Sequence, residues 1–382
     1  MKIAMLPSVA GGIGHIARTA ALARMLRRLD PTVQIEYVLD TDRLRPFNID
    51  ATQRMGFRPR LLPSRSRDNR DAIVRACLGD VDVIVDDVAR YLLPLRAAVP
   101  ETAWISILMH PVGDELFMDW PFMLQMDALI WPYAPLVGLP PELSLVEDRV
   151  VRTGPFLETD DVVGKSAARA KLGLVGDAPV VVFAPRGFPF GRDYGERVLS
   201  GIHGAVSSLR REAYPDLRLA LFAVADRRDL NCIADASGNL PDWVMVENVV
   251  SASDALLFNR AADILIAEGT STMHEAAALR TPLVIVPGPF QEAELLGQRL
   301  GERDAAALIP HDRATAKNFK GAFEAILSSE RERATMTDLA YSLIAGGGGG
   351  VRQAAELVLD VAERRKYSRQ PRVQAAKASA GF

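Results

Sequence analysis

Gly269, Thr270, Ser271 and Thr272, followed by Glu275, gather a glycine, three hydroxyls and a carboxylate into one short stretch. Before them runs an apolar segment, Asp263 to Ile266, and after them a helical pattern, Thr272 to Leu279. A strand passing through such a loop into a helix aims backbone N–H groups and the positive end of the helix dipole at one point, which suits a diphosphate. The hydroxyls add donors, and Glu275, one turn into the helix, can accept from both hydroxyls of a ribose. An ordinary helix start followed by a solvated Glu has the same spacing.

A second group stands near the amino terminus. After the apolar run Lys2 to Leu6 comes Gly11-Gly12-Ile13-Gly14-His15, in which Gly11, Gly12 and Gly14 let the backbone approach another molecule and His15 projects from the strand end. The spacing is not G-x-G-x-x-G, and Asp40 is the one acid at the end of the next strand, so a nicotinamide site is disfavoured. A hydroxyl nucleophile needs a base that titrates near neutrality, and a carboxylate on the far imidazole nitrogen fixes the tautomer. Asp86, with Asp87 as a near alternative, ends the fourth apolar run, where such a carboxylate could stand. The competing reading makes His15 a helix cap or phosphate contact and Asp86 a cap of the next helix. Arg186 and Gly187, after the run Val180 to Ala184, form a loop whose arginine can neutralise a leaving diphosphate or simply lie on the surface.

The elements needed to position these groups are β-rich runs alternating with helical stretches. In the first half the runs are Lys2 to Leu6, Ile35 to Leu39, Arg58 to Leu62, Val81 to Val85, Ala103 to Leu108 and Ala128 to Trp131. In the second they are Val180 to Ala184, Arg218 to Val224, Trp243 to Glu247, Asp263 to Ile266, Leu283 to Val286 and Ala306 to Ile309. Alternation of this kind gives parallel sheets covered by helices on both faces. The chain of 382 residues exceeds one ordinary core, so two doubly wound α/β domains are expected, their carboxyl strand ends facing a shared cleft. The expected division is 1–154, 155–350, a helix over 351–367 and a tail without fixed structure over 368–382.

Composition narrows the function. A formal charge of -3 gives no global field for nucleic acid or an anionic bilayer. No stretch has the length and apolarity of a transmembrane segment, and two cysteines, Cys77 and Cys232, make neither a disulfide framework nor a zinc site. A cytoplasmic protein without a metal or bound cofactor is expected. The apolar stretch 116–126 reads as core, as an acceptor wall or as a membrane-facing patch, and His110 before it as a cleft residue.

Gly269, Thr272 and Glu275, followed by Pro282 and Pro287, resemble the donor-binding signature of GT-B glycosyltransferases. The chain is most similar to the natural-product UDP- or dTDP-sugar transferases and the peptidoglycan lipid-intermediate N-acetylglucosaminyltransferase. The resemblance implies two Rossmann-like domains, a nucleoside-diphosphate sugar as donor and a small-molecule acceptor hydroxyl. It implies inversion at the anomeric carbon, with His15 as base, Asp86 orienting it, and Thr270 to Thr272 on the diphosphate. Gln291 and Glu292 stand where such enzymes contact the donor sugar, and Val249 lies in the segment that frames the base through its backbone. The family's phosphate-contacting His falls at Ala267 and its usual Gln at Ala293, two departures that keep a non-catalytic partner protein open. The start GIGHIARTAALA is also similar to sugar-nucleotide hydrolases, which keeps a hydrolase or 2-epimerase open.

Overall fold

The computed structural model describes residues 1–9, 14–44, 46–62, 70–87, 95–109, 123–159, 162–174, 176–185, 191–222, 224, 227–247, 251–289, 291–345 and 349–379. The chain divides into two compact units, one built from 1–133, 138–156 and 349–382, the other from 134–137 and 157–348.

The first unit holds a parallel sheet of seven strands, β1 (Lys2–Pro7), β2 (Gln34–Asp40), β3 (Pro59–Leu62), β4 (Val83–Asp87), β5 (Ala103–Ile107), β6 (Ala128–Trp131) and β7 (Val150–Arg152), in the order β3-β2-β1-β4-β5-β6-β7. Six of these follow the apolar runs in the sequence. β7, too short to stand out by composition, joins the edge through Leu129 opposite Val150. Ile3, Met5, Val83, Val85 and Ile105 pack with Ile16, Ala20, Ala23 and Leu26 of the helix Gly14–Leu29, and with Val351, Ala355 and Val358 of the helix Gly350–Ser379. The carboxy-terminal helix thus completes the core of the amino-terminal unit. It runs on to Ser379.

The second unit holds six parallel strands, β8 (Val180–Phe183), β9 (Arg218–Phe222), β10 (Val244–Glu247), β11 (Ile264–Ala267), β12 (Leu283–Ile285) and β13 (Ala307–Leu308), in the order β10-β9-β8-β11-β12-β13. Its core unites Val181, Phe183, Leu219, Leu221, Ile264 and Ile266 with the helices Arg192–Glu212 and Ala316–Ser328. These two helices approach closely because Gly201 and Gly204 face each contact: a Cβ on Gly201 would lie 2.9 Å from the Ala314 carbonyl and one on Gly204 2.8 Å from the Ala316 Cβ.

In each unit the order of connection reverses at one place, between β1 and β4 in the first and between β8 and β11 in the second. Loops leaving the carboxyl ends of the two central strands diverge there and leave room for a ligand. His15 follows β1 and Asp87 ends β4; Gly269 follows β11.

Candidate active site

At the reversal point of the first unit, Asp87 lies beside Pro7 in register, and its carbonyl accepts from the Ser8 N–H at 3.0 Å. The Asp87 carboxylate is fully buried and receives two partners from the helix Gly14–Leu29. His15 Nδ1 stands 3.0 Å from Oδ1, and Arg18 reaches Oδ2 through Nε at 2.8 Å and Oδ1 through Nη2. A carboxylate only accepts, so the Nδ1 contact carries the imidazole proton and leaves Nε2 as the proton acceptor. Arg18 Nη2 also lies 3.3 Å from Nδ1, a longer approach that the shorter contact to Asp87 outweighs. Thr19 Oγ1 donates to the His15 carbonyl at 2.9 Å and the buried Tyr37 hydroxyl to that of Ile16 at 2.8 Å, which fixes the first helical turn against β2.

The carboxylate that orients His15 is therefore Asp87 and not Asp86. Side chains alternate along a strand. Val83 and Val85 face the helix Gly14–Leu29, Asp87 shares their face, and Asp86 points the other way, where Trp104 Nε1 donates to it at 2.6 Å and Ser106 Oγ at 2.9 Å.

Burial pushes the Asp87 carboxyl up, but the charges and hydrogen bonds of Arg18 and His15 more than offset this and hold it below the usual carboxylate value. A carboxyl depressed in the folded state contributes stability that is complete above the unfolded value of about 4 and is lost as pH falls toward the folded one. Denaturation midpoints measured from neutrality down through that range are expected to fall more steeply for the wild-type protein than for Asp87→Asn. Equal slopes would mean that Asp87 is not ionised in the native state.

In the second unit, Gly269 caps the helix Thr270–Ala278. Its φ of −129° is extended backbone open to any residue, so conformation does not demand glycine; the space a Cβ would take holds no atom within 4 Å. Ser251, Thr315 and Ser329 each cap their helices with a side-chain oxygen, accepting from Asp254, Asn318 and Glu332 respectively. Gly269 has no side chain and makes no such bond, so it does not compete for the amides of the first turn. Around this start Thr270 is half-buried, Ser271 exposed and Thr272 buried. Thr270 Oγ1 donates to Glu292 at 3.3 Å, so the structure brings the hydroxyl loop and the start of the helix Gln291–Gly301 together. Gln291 is exposed beside it. Glu275, half-buried, accepts from Asn259 Nδ2 at 2.8 Å. Glu268, buried at the end of β11, interacts with Tyr194, whose phenol is raised far above its ordinary value, first by burial and then by that carboxylate.

No protein-family model matches the chain. An uncharacterized glycosyltransferase of Methanopyrus kandleri is 25% identical over 223 residues, 56% of this chain and 55% of the relative, so the match spans about half the length of that protein. A UDP-GlcNAc 2-epimerase from Neisseria meningitidis, solved with UDP-GlcNAc, superposes with a TM-score of 0.64 at 12% identity, covering 94% of this chain and all 100% of that one. The spinosyn forosaminyltransferase SpnP gives 0.64 at 16% identity, covering 95% and 99%. The chain has the GT-B fold. Within it, His15 and Asp87 lie at the reversal point of the amino-terminal Rossmann-like unit, and Gly269, Thr270, Ser271, Thr272, Glu275 and Glu292 gather at that of the carboxy-terminal one.

Among the candidate residues, Gly11, Gly12, Arg186, Gly187 and Val249 lie outside the described residues, as do His110 and most of 116–126. Gly14 opens its helix with no atom within 4 Å of a Cβ position. The sequence reading missed Arg18 and Asn259. Arg18 was open to detection, being one turn beyond His15 on the same helix face. Among the described residues no helix is long and apolar enough to cross a membrane.

Proposed function

We propose that this protein transfers a sugar from a nucleoside-diphosphate donor to a hydroxyl of a small-molecule acceptor, with inversion and without a catalytic metal. The observation that carries the reading is the His15–Asp87 contact at the reversal point of the first unit, with Arg18 as a permanent counter-charge. Asp87 holds the Nδ1–H tautomer, Nε2 takes the acceptor proton, and the resulting imidazolium is stabilised by the carboxylate it already touches. Direct attack by the activated oxygen on the anomeric carbon inverts its configuration. The diphosphate is placed at the helix start Thr270 to Thr272, whose amides and hydroxyls receive the charge developing on the leaving group, and the ribose at Glu275.

A thermal-shift comparison of UDP, dTDP and GDP tests the donor site, because a ligand bound only by the native state raises its apparent stability. Glu275→Ala is expected to weaken the best nucleotide by about 1.5 to 3 kcal/mol, the range for a hydrogen bond to a charged group, with the fold intact. Unchanged affinity would remove Glu275 from the ribose site. The fold likeness to the Neisseria meningitidis epimerase supports a second reading, in which the same donor site serves epimerisation or hydrolysis without a second substrate.

A further inference from the structure

Asn259, in the helix Ala252–Ala261, is only 1% exposed. Its amide nitrogen donates to Glu275 Oε2 at 2.8 Å, and because a carboxylate only accepts, this contact also sets which way the amide faces. Its main-chain carbonyl accepts from Thr281 Oγ1 at 2.9 Å, which ties the end of the helix carrying Glu275 to the helix carrying Asn259. The side-chain oxygen of Asn259 is buried and has no hydrogen-bond partner among the described residues. A buried acceptor left unmade costs about 1 to 3 kcal/mol, so a leucine of similar size would suit this interior better if packing were the only requirement. What the amide supplies and leucine cannot is the bond to Glu275.

We infer that Asn259 is a positioning residue that pre-aims the Glu275 carboxylate at a ribose diol, making the donor a ribonucleoside diphosphate sugar and not a 2′-deoxyribonucleoside one. This rests on the placement of the ribose at Glu275. A glutamate carries several rotatable bonds whose freedom is lost on binding. Anchored by Asn259, the carboxylate is held in one orientation before the nucleotide arrives. Asn259 takes one of about four acceptor positions on the carboxylate, and the group can still meet a pair of adjacent hydroxyls. A fixed acceptor favours the full diol; a mobile one adapts to a single hydroxyl and discriminates less.

The test is calorimetric titration of the full-length protein with UDP and 2′-deoxy-UDP, and with GDP and 2′-deoxy-GDP, using the wild type, Asn259→Leu and Glu275→Ala. The wild type is expected to prefer the ribonucleotide by about tenfold, the factor for one charge-assisted hydrogen bond. Asn259→Leu is expected to reduce that preference to below about threefold while its melting temperature stays equal or rises, since it also removes the unpaired oxygen. A purely structural asparagine would do the reverse, lowering the melting temperature and leaving the preference unchanged. Asn259→Ser, which is smaller and cannot reach Glu275, serves if the leucine variant does not fold, with the same loss of preference expected. If Glu275→Ala loses the preference and the Asn259 variants keep it, the ribose site stands and the positioning role is overturned. If the wild type shows no preference or binds none of the four nucleotides, or if Glu275→Ala binds them unchanged, the ribose placement fails and the inference with it.

Discussion

His15→Ala is expected to lower kcat by about 10² to 10⁴, the usual contribution of a general base, while donor affinity stays within about twofold of wild type. The asymmetry follows from where the residue sits. His15 belongs to the amino-terminal unit and touches Asp87 and Arg18, whereas the candidate diphosphate and ribose groups all belong to the carboxy-terminal unit. Asp87→Asn is expected to fall between the two, since an amide still packs beside the ring but neither enforces the Nδ1–H tautomer nor stabilises an imidazolium. Asp86→Asn, whose partners are Trp104 and Ser106, is expected to affect stability more than turnover per folded molecule. Steady-state rates with donor dissociation constants measured alongside check all three. A His15→Ala enzyme that loses donor binding in proportion to rate would make His15 a phosphate contact.

Arg18→Met is expected to destabilise the protein by about 3 kcal/mol, the lower end of the range for breaking a buried ion pair, because the arginine retains some solvent contact. It leaves the fully buried Asp87 with His15 as its remaining side-chain partner among the described residues, and the desolvation that Arg18 now offsets then falls on that contact. The double variant Arg18→Met/Asp87→Leu removes both charges and is expected to be more stable than Arg18→Met alone, as the stranded carboxylate is gone. Denaturant unfolding of the wild type, Arg18→Met, Asp87→Leu and the double variant checks this. If the two single effects simply add in the double variant, the carboxylate does not depend on Arg18.

The sheets were legible because buried parallel strands read as unbroken apolar runs: VVVF in β8 and ILIA in β11 have no polar face to blur them. The same physics hid the choice between Asp86 and Asp87. Strand side chains alternate with period two, so a one-residue uncertainty at the strand end reverses the face, and two successive aspartates give the eye nothing to choose by. The helix Arg192–Glu212 is hard to read from sequence because its apolar face is interrupted by Gly195, Gly201 and Gly204, the last two of which serve close packing. Asn259 and Glu275 meet across two helices, and such a contact leaves no local spacing to read.

Transfer to an acceptor separates a transferase from an epimerase or hydrolase, and the most direct measurement follows the donor sugar itself. The purified protein is incubated with UDP- and dTDP-sugars, with and without a panel of hydroxyl acceptors and with EDTA throughout, and the products are read by NMR. The predicted result is release of nucleoside diphosphate only when an acceptor is present, with the sugar joined to it in inverted anomeric configuration. Free sugar or a 2-epimer formed without any acceptor would contradict it, and so would a glycoside that retains the donor's configuration.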